Sequence, residues 1–276
     1  MDETESADYE QLLSQMRGKP NLHNLHWDGK RTSQAYFAVT APPKSGSTWV
    51  NNVLSRSLNA KRVRYCYAWS SNEHDIYAPA LLAHQSVRTT AQMHMKATPH
   101  NIQLMLDFDV KPVVLTHNVF DTVASFARDL KKKHAVEVQT PGTLGYSFVW
   151  LGNCKSDWDQ ADWIDYSLDY YLPWYLNFLS SWAQFSATVA AQRIRYETLY
   201  VDEVNAFGGL IRALDKNRVL DQSSLGRDFT SKNVSGTRSE TGSGRAVMTR
   251  AQISRIEAMF APIGNDWVQS HLSAEV

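Results

Sequence analysis

Apolar positions along the chain alternate between two patterns, short continuous runs and longer stripes at helical spacing. The first run, Ala35–Thr40 (AYFAVT), is almost continuously apolar, as a strand buried on both faces is. Beyond Pro42, Pro43 and the polar stretch Lys44–Thr48, the residues Trp49, Val50, Val53, Leu54 and Leu58 form one helical stripe. Arg62–Ala68 (RVRYCYA) and Ala91–Lys96 (AQMHMK) read as further strands, and Val113–Thr116 (VVLT) as a short apolar one. Asn118, three residues before Asp121, predicts a helix cap, with Val119, Val123, Phe126, Ala127 and Leu130 on the apolar face that follows. Residues 134–167 are aromatic, partly acidic and irregular in pattern. A long helix near 168–190, a strand at Arg193–Tyr196 (RIRY) and a helix to about Leu214 come next. A Gly/Ser-rich loop, Asn233–Arg245, precedes a final helix opened by Thr249 and buried through Ile253, Ile256, Met259 and Phe260. Strands alternating with helices predict an α/β fold with a central, mainly parallel sheet.

The length of 276 residues suits one large domain over 1–276, with residues 1–30 as a polar N-terminal extension. Lys+Arg 28 against Asp+Glu 28 leaves no net charge. That excludes a nucleic-acid coat or a polybasic membrane binder, which both need excess positive charge. Two cysteines, Cys66 and Cys154, make no disulfide framework and suit a reduced, cytoplasmic setting. The first residues are acidic and polar, without a secretory pattern. Tyr170–Gln192 is uncharged over a length that could cross a bilayer. Its Pro173, Asn177, Ser180 and Gln184, with leucines at helical spacing, make it a buried amphipathic helix instead.

The segment 35–58 carries the first chemistry. A buried strand, a tight turn and a helix start point free N–H groups at one place, where the helix dipole also favours an anion. Ser45, Gly46, Ser47 and Thr48 supply those groups, Gly46 permits close approach, and Lys44 adds charge at the mouth. This is not a Walker A loop, in which the lysine follows the last glycine and precedes a magnesium-binding hydroxyl. An ATP-dependent P-loop kinase is therefore the weaker alternative.

PKSGSTW (43–49) resembles the 5′-phosphosulfate loop of the sulfotransferases that use 3′-phosphoadenosine 5′-phosphosulfate (PAPS). LTHNVFDTVASF (115–126) matches that family's second signature in Asn118, Asp121 and Ser125, about 70 residues on. RYETLY (195–200) and the loop near 238–245 extend the resemblance over most of the chain. It implies a P-loop-like three-layer fold and transfer of a sulfuryl group from PAPS to an acceptor hydroxyl, or less readily an amine. The product nucleotide would be adenosine 3′,5′-bisphosphate (PAP), and no metal would be required.

By the same resemblance, Lys44 stabilises the leaving oxygen and His94 is the catalytic base. The family often has a lysine two residues before that histidine; here Gln92 stands there and Lys96 follows. Lys44, Ser45, Gly46, Ser47 and Thr48 would cradle the sulfate and bridging phosphate, while Trp49 and Tyr196 would pack on the adenine. The 3′-phosphate would fall to Ser125, to Arg238 or Arg245, and to His117. His117 replaces the family's arginine and so lacks a permanent charge and a bidentate fork. A catalytically silent nucleotide-binding homologue is the alternative that this substitution raises. The aromatics of 146–167, Trp150, Trp158 and Trp163 among them, suggest a loop lid over an apolar or aromatic small-molecule acceptor. His23 and His26 lack further ligands for zinc, and Lys131–Lys133 reads as a solvated helix end.

Overall fold

The computed structural model describes residues 35–67, 73–141, 154–225 and 242–273. The 1–30 extension, Trp150 and Arg238 lie outside the described residues, as do His23 and His26.

Among the described residues, five parallel strands form one sheet in the order β2-β3-β1-β4-β5. They are β1 (Tyr36–Thr40), β2 (Lys61–Arg62), β3 (Thr89–Met93), β4 (Val110–Thr116) and β5 (Gln192–Arg195). β1 lies at the centre, with Ala38 opposite Ala91 on one side and Pro112 on the other. Alternate residues of β1 enter different cores, as period-2 geometry dictates. Tyr36 and Ala38 join the helices Val119–Gln139 (α4) and Gln160–Phe185 (α5). Phe37 and Val39 join Ser47–Ser57 (α1) and the helices Tyr196–Val201 (α6) and Glu203–Leu214 (α7). The result is the three-layer α/β architecture expected from the sequence, with the sheet buried on both faces.

Several expected boundaries move. The run Arg62–Ala68 supplies only the short edge strand β2, and β3 ends at Met93, leaving His94 just beyond it. β4 begins at Val110, ahead of Pro112; β5 pairs with it only from Val113 onward, so the proline lies outside that ladder. Short helices Ala78–Leu82 (α2) and Pro99–Phe108 (α3) add to the expected elements. The supposedly irregular stretch 134–167 contains the end of α4 and the start of α5. Asp159 and Asp162 close a reciprocal capping box there, fixing the start of α5 eight residues before the expected one. Asn118 caps α4 by accepting from the Phe120 and Asp121 amides, as its position predicts. Ser243–Ala246 (α8) lies within the late loop, and Thr249 opens Arg250–Phe260 (α9) through a capping box with Gln252. Among the described residues no helix is long and apolar enough to cross a membrane.

Candidate active site

From the central β1 the chain moves first to one side of the sheet, then crosses to β4 on the other. In such sheets ligands bind beyond the carboxyl ends of the strands, where the order reverses. The candidate residues gather there: 43–48 follow β1, His94 follows β3, His117 follows β4 and Tyr196 follows β5.

The turn after β1 is left-handed at two positions, Lys44 (φ 70°) and Gly46 (φ 82°). A Cβ at Gly46 would also stand 2.8 Å from the Tyr196 ring, so glycine is required twice over. Helix α1 then starts without any side-chain cap. Its first-turn N–H groups remain available to an anion. Ser45 is fully buried, and among the described residues its hydroxyl finds no partner. Gln92, reaching over from β3, fixes the next two hydroxyls: its Nε2 donates to Ser47 Oγ at 2.8 Å, and Thr48 Oγ1 donates to its Oε1 at 3.0 Å. Lys44 Nζ lies 3.1 Å from Asp129 Oδ1 on α4, and Lys133 Nζ lies 2.5 Å from Oδ2. Burial works against the Asp129 carboxylate, but Lys44 and Lys133 outweigh it and hold its pKa below the usual range.

His94 borders the same turn. Its Nδ1 bonds the Ala41 carbonyl at 2.8 Å. A carbonyl can only accept, so Nδ1 carries the proton and Nε2 keeps its lone pair. The ring stacks on His74 at 5.1 Å, and the His94 amide donates to His74 Nδ1. Burial, the neighbouring His74 and Lys133 push the His94 pKa down to about 3, against the opposing Ala41 bond. His94 is therefore neutral at ordinary pH. Lys96, by contrast, is held by Glu73 at 2.9 Å.

The other end of the site is closed. His117 is only 2% exposed, and its Nε2 faces Asp121 at 3.6 Å and Glu197 at 3.9 Å. Burial lowers its pKa, while Glu197 and Asp121 pull the other way. The Asp121 carboxylate accepts from the Gly242 and Gly244 amides at 2.7 and 2.6 Å. Glu197 accepts from the Asn118 amide at 2.6 Å and from Arg195 Nε at 3.3 Å. The three side chains converge closely enough to suggest a metal site, yet these donors already serve both carboxylates. They form an internal charge network. His117 thus faces two carboxylates.

Ser125 sits partly buried one helical turn beyond Asp121. Arg245 is half exposed; it pairs with Glu257 at 2.6 Å and covers the Phe120 ring at 4.6 Å. Trp49 and Tyr196 lie in the core, 3% and 6% exposed, with Trp49 edge-on to Tyr196 and Phe207. Trp158 and Trp163 pack edge-on to each other against the core beside α5. The structure therefore brings together Lys44–Thr48 and His94, and sets His117 apart in its carboxylate cradle. Sequence reasoning passed over Asp129, Lys133 and the clamping role of Gln92. Only the i,i+4 spacing of Asp129 and Lys133, one turn after Ser125, pointed to the first two.

Sequence comparison finds no matching family model and no matching curated protein. Comparison of folds does. A mouse sulfotransferase, SULT7A1, solved complexed with PAP, superposes with a TM-score of 0.61 at 14% identity, covering 92% of this chain and 93% of that one. The fold is that of a sulfotransferase. A sulfotransferase domain from the curacin biosynthetic pathway also aligns, with a TM-score of 0.42 at 13% identity over 76% of this chain and 82% of that one. In that fold, the turn after β1 leads into the start of α1, which lacks a side-chain cap, and His94 stands beside the turn through its bond to the Ala41 carbonyl.

Proposed function

We propose that this chain is a PAPS-dependent sulfotransferase acting on the hydroxyl of a small molecule. The observation that carries the reading is the buried Ser45 hydroxyl without a partner, beside an uncapped helix N-terminus and a neutral histidine with an available Nε2. The hydroxyl and the helix N–H groups fit a sulfate joined to a phosphate, because they are donors able to take an anionic oxygen, and the Nε2 lone pair suits the proton of an acceptor hydroxyl. Residues 45–48 would hold the phosphosulfate, and Lys44 would leave Asp129 to meet the oxygen between phosphorus and sulfur.

In the reaction, a new bond forms between the acceptor oxygen and sulfur as the sulfur–oxygen bond to the phosphate breaks. PAP departs with that electron pair, and the acceptor proton passes to His94 Nε2. Lys44 stabilises the leaving oxygen, where charge develops most. A histidine with its pKa near 3 is a weak base; the arriving anionic donor raises it toward the working range. The test is transfer of labelled sulfate from PAPS across a broad panel of hydroxyl and amine acceptors. Transfer that depends on both Lys44 and His94 supports the reading. ATP turnover without any PAPS effect sinks it.

His117, standing where the related family has arginine, keeps a second reading open, a nucleotide-binding homologue without transfer activity. Binding of PAP with no transfer to any acceptor in the panel decides for it.

A further inference from the structure

His94 offers its Nε2 lone pair only while the other ring nitrogen, Nδ1, stays on the Ala41 carbonyl at 2.8 Å. One neutral hydrogen bond is a weak restraint on a side chain whose second torsion is broad and two-fold. His74 supplies a second restraint. Its ring lies on that of His94 with centroids 5.1 Å apart and planes 27° from parallel. The stack sets the plane of the His94 ring, and the Ala41 bond then selects which edge meets the carbonyl. Two further bonds lock the pair. The His94 amide donates to His74 Nδ1 at 2.9 Å, and the His74 amide donates to the His94 carbonyl at 3.3 Å.

His74 is itself held firmly. It is 2% exposed, and the residues after it are fastened to the start of α3. Asn101 Nδ2 donates to Asp75 Oδ1 at 2.8 Å and to the Lys96 carbonyl at 3.0 Å, while Oδ1 accepts from the Ile76 amide at 2.8 Å. Asn101 thus ties the segment that bears His74 to the chain just beyond His94. On the other side of His74, Glu73 reaches Lys96 at 2.9 Å. The His94 amide needs only an acceptor, which a smaller polar side chain would also supply. The imidazole of His74 adds what such a side chain lacks, a flat surface against His94.

We infer that His74 is a positioning residue, whose ring holds the His94 imidazole in the plane that keeps Nδ1 on Ala41 and Nε2 open to the acceptor proton. The use made of Nε2 rests on the PAPS reading above; the hold on the ring does not. Two variants divide the functions of His74. His74→Asn keeps an acceptor for the His94 amide and removes the ring, whereas His74→Phe keeps a ring and removes the acceptor.

Nitrogen-15 NMR of His94 in the nucleotide-free protein, with PAPS turnover and thermal melts, tests this. Wild type should show His94 as a single tautomer protonated on Nδ1. His74→Asn should melt near wild type, yet show both tautomers and transfer sulfate about tenfold more slowly, with the KM for PAPS within about threefold. His74→Phe leaves a buried amide unpaired and should melt several degrees lower. It should nevertheless keep the single tautomer and a transfer rate within about threefold of wild type. A purely stabilising residue gives the reverse order, with rates falling in step with melting temperature. That result, or a single tautomer and full rate in His74→Asn, overturns the inference. If the tautomers behave as stated but wild type transfers sulfate to no acceptor, the PAPS reading fails and the hold of His74 on the ring stands.

Discussion

Both ends of the site use the same device, a strand end running into a helix N-terminus, yet they treat its donors in opposite ways. After β1, helix α1 starts without a side-chain cap and leaves Ser45 unsatisfied. After β4, Asn118 caps α4 from within, and Asp121 and Glu197 collect further backbone donors, although the ring nitrogens of His117 make no hydrogen bond among the described residues. A helix N-terminus is an anion site only where the rest of the fold leaves its donors unclaimed. Resemblance of motif alone does not decide that; the partners do.

The contrast can be broken most sharply at the open end. His94→Ala should lower the transfer rate by on the order of 100-fold or more, with PAP affinity close to wild type. Equal losses in rate and in affinity would make His94 a structural residue. Gly46→Ala should destabilise the fold by about 1–3 kcal/mol, since alanine must adopt a positive φ and push against Tyr196. PAP binding, followed by thermal shift, should be lost along with it.

Acid stability bears on both ends at once. His94 and His271 are held to about 3 and about 4, and His117 is also lowered, in each case chiefly by burial. Unfolded histidines take up protons near pH 6.5, so the unfolded chain is favoured as pH falls from there toward the folded values. The slope is about 1.4 kcal/mol per pH unit for each histidine buried in its neutral form. Urea midpoints should fall steadily from pH 7 to pH 5, and a flat profile would contradict this burial.

Ser45→Ala should separate stability from binding. Removing an unsatisfied buried hydroxyl should leave stability unchanged or raise it by about 1 kcal/mol, while PAP affinity drops about tenfold. A loss of stability would show that the hydroxyl has a partner of its own. The smallest effect belongs to the closed end. Arg245→Ala removes a half-exposed ion pair with Glu257 and should cost less than about 1 kcal/mol. It should leave PAP affinity unchanged; a large drop in affinity would restore Arg245 as a phosphate clamp.

The open end was legible in the sequence because its parts are contiguous: strand, Lys44, Ser45, Gly46 and helix follow one another. The closed end was not, because its character comes from Glu197, Gly242 and Gly244, far away in sequence and joined to His117 and Asp121 only by the fold. For the same reason the two carboxylates beside His117 could not be read from its own motif. Lys133 read as a solvated cation because a basic run at a helix end usually is one; the fold pairs it with Asp129, which Lys44, distant in the chain, also reaches. The alternation of strands and helices gave the three layers correctly. The start of α5 was missed where Trp158, Trp163 and Tyr166 mix with acidic residues and blur the helical period, although Asp159 and Asp162 marked it.

The position of β5 bears on how the chain is made. β4 gains its outer partner only when Gln192–Arg195 is available, roughly 75 residues after Thr116. At about 5–20 residues per second, the ribosome needs on the order of 4–15 s to deliver that strand. Throughout that interval Val113–Thr116 presents an unpaired, apolar parallel edge, the kind of surface on which nascent chains associate wrongly. Yield in the cell should therefore respond to chaperones that act during synthesis, and to slower codons placed before residue 192 more than to those placed after it.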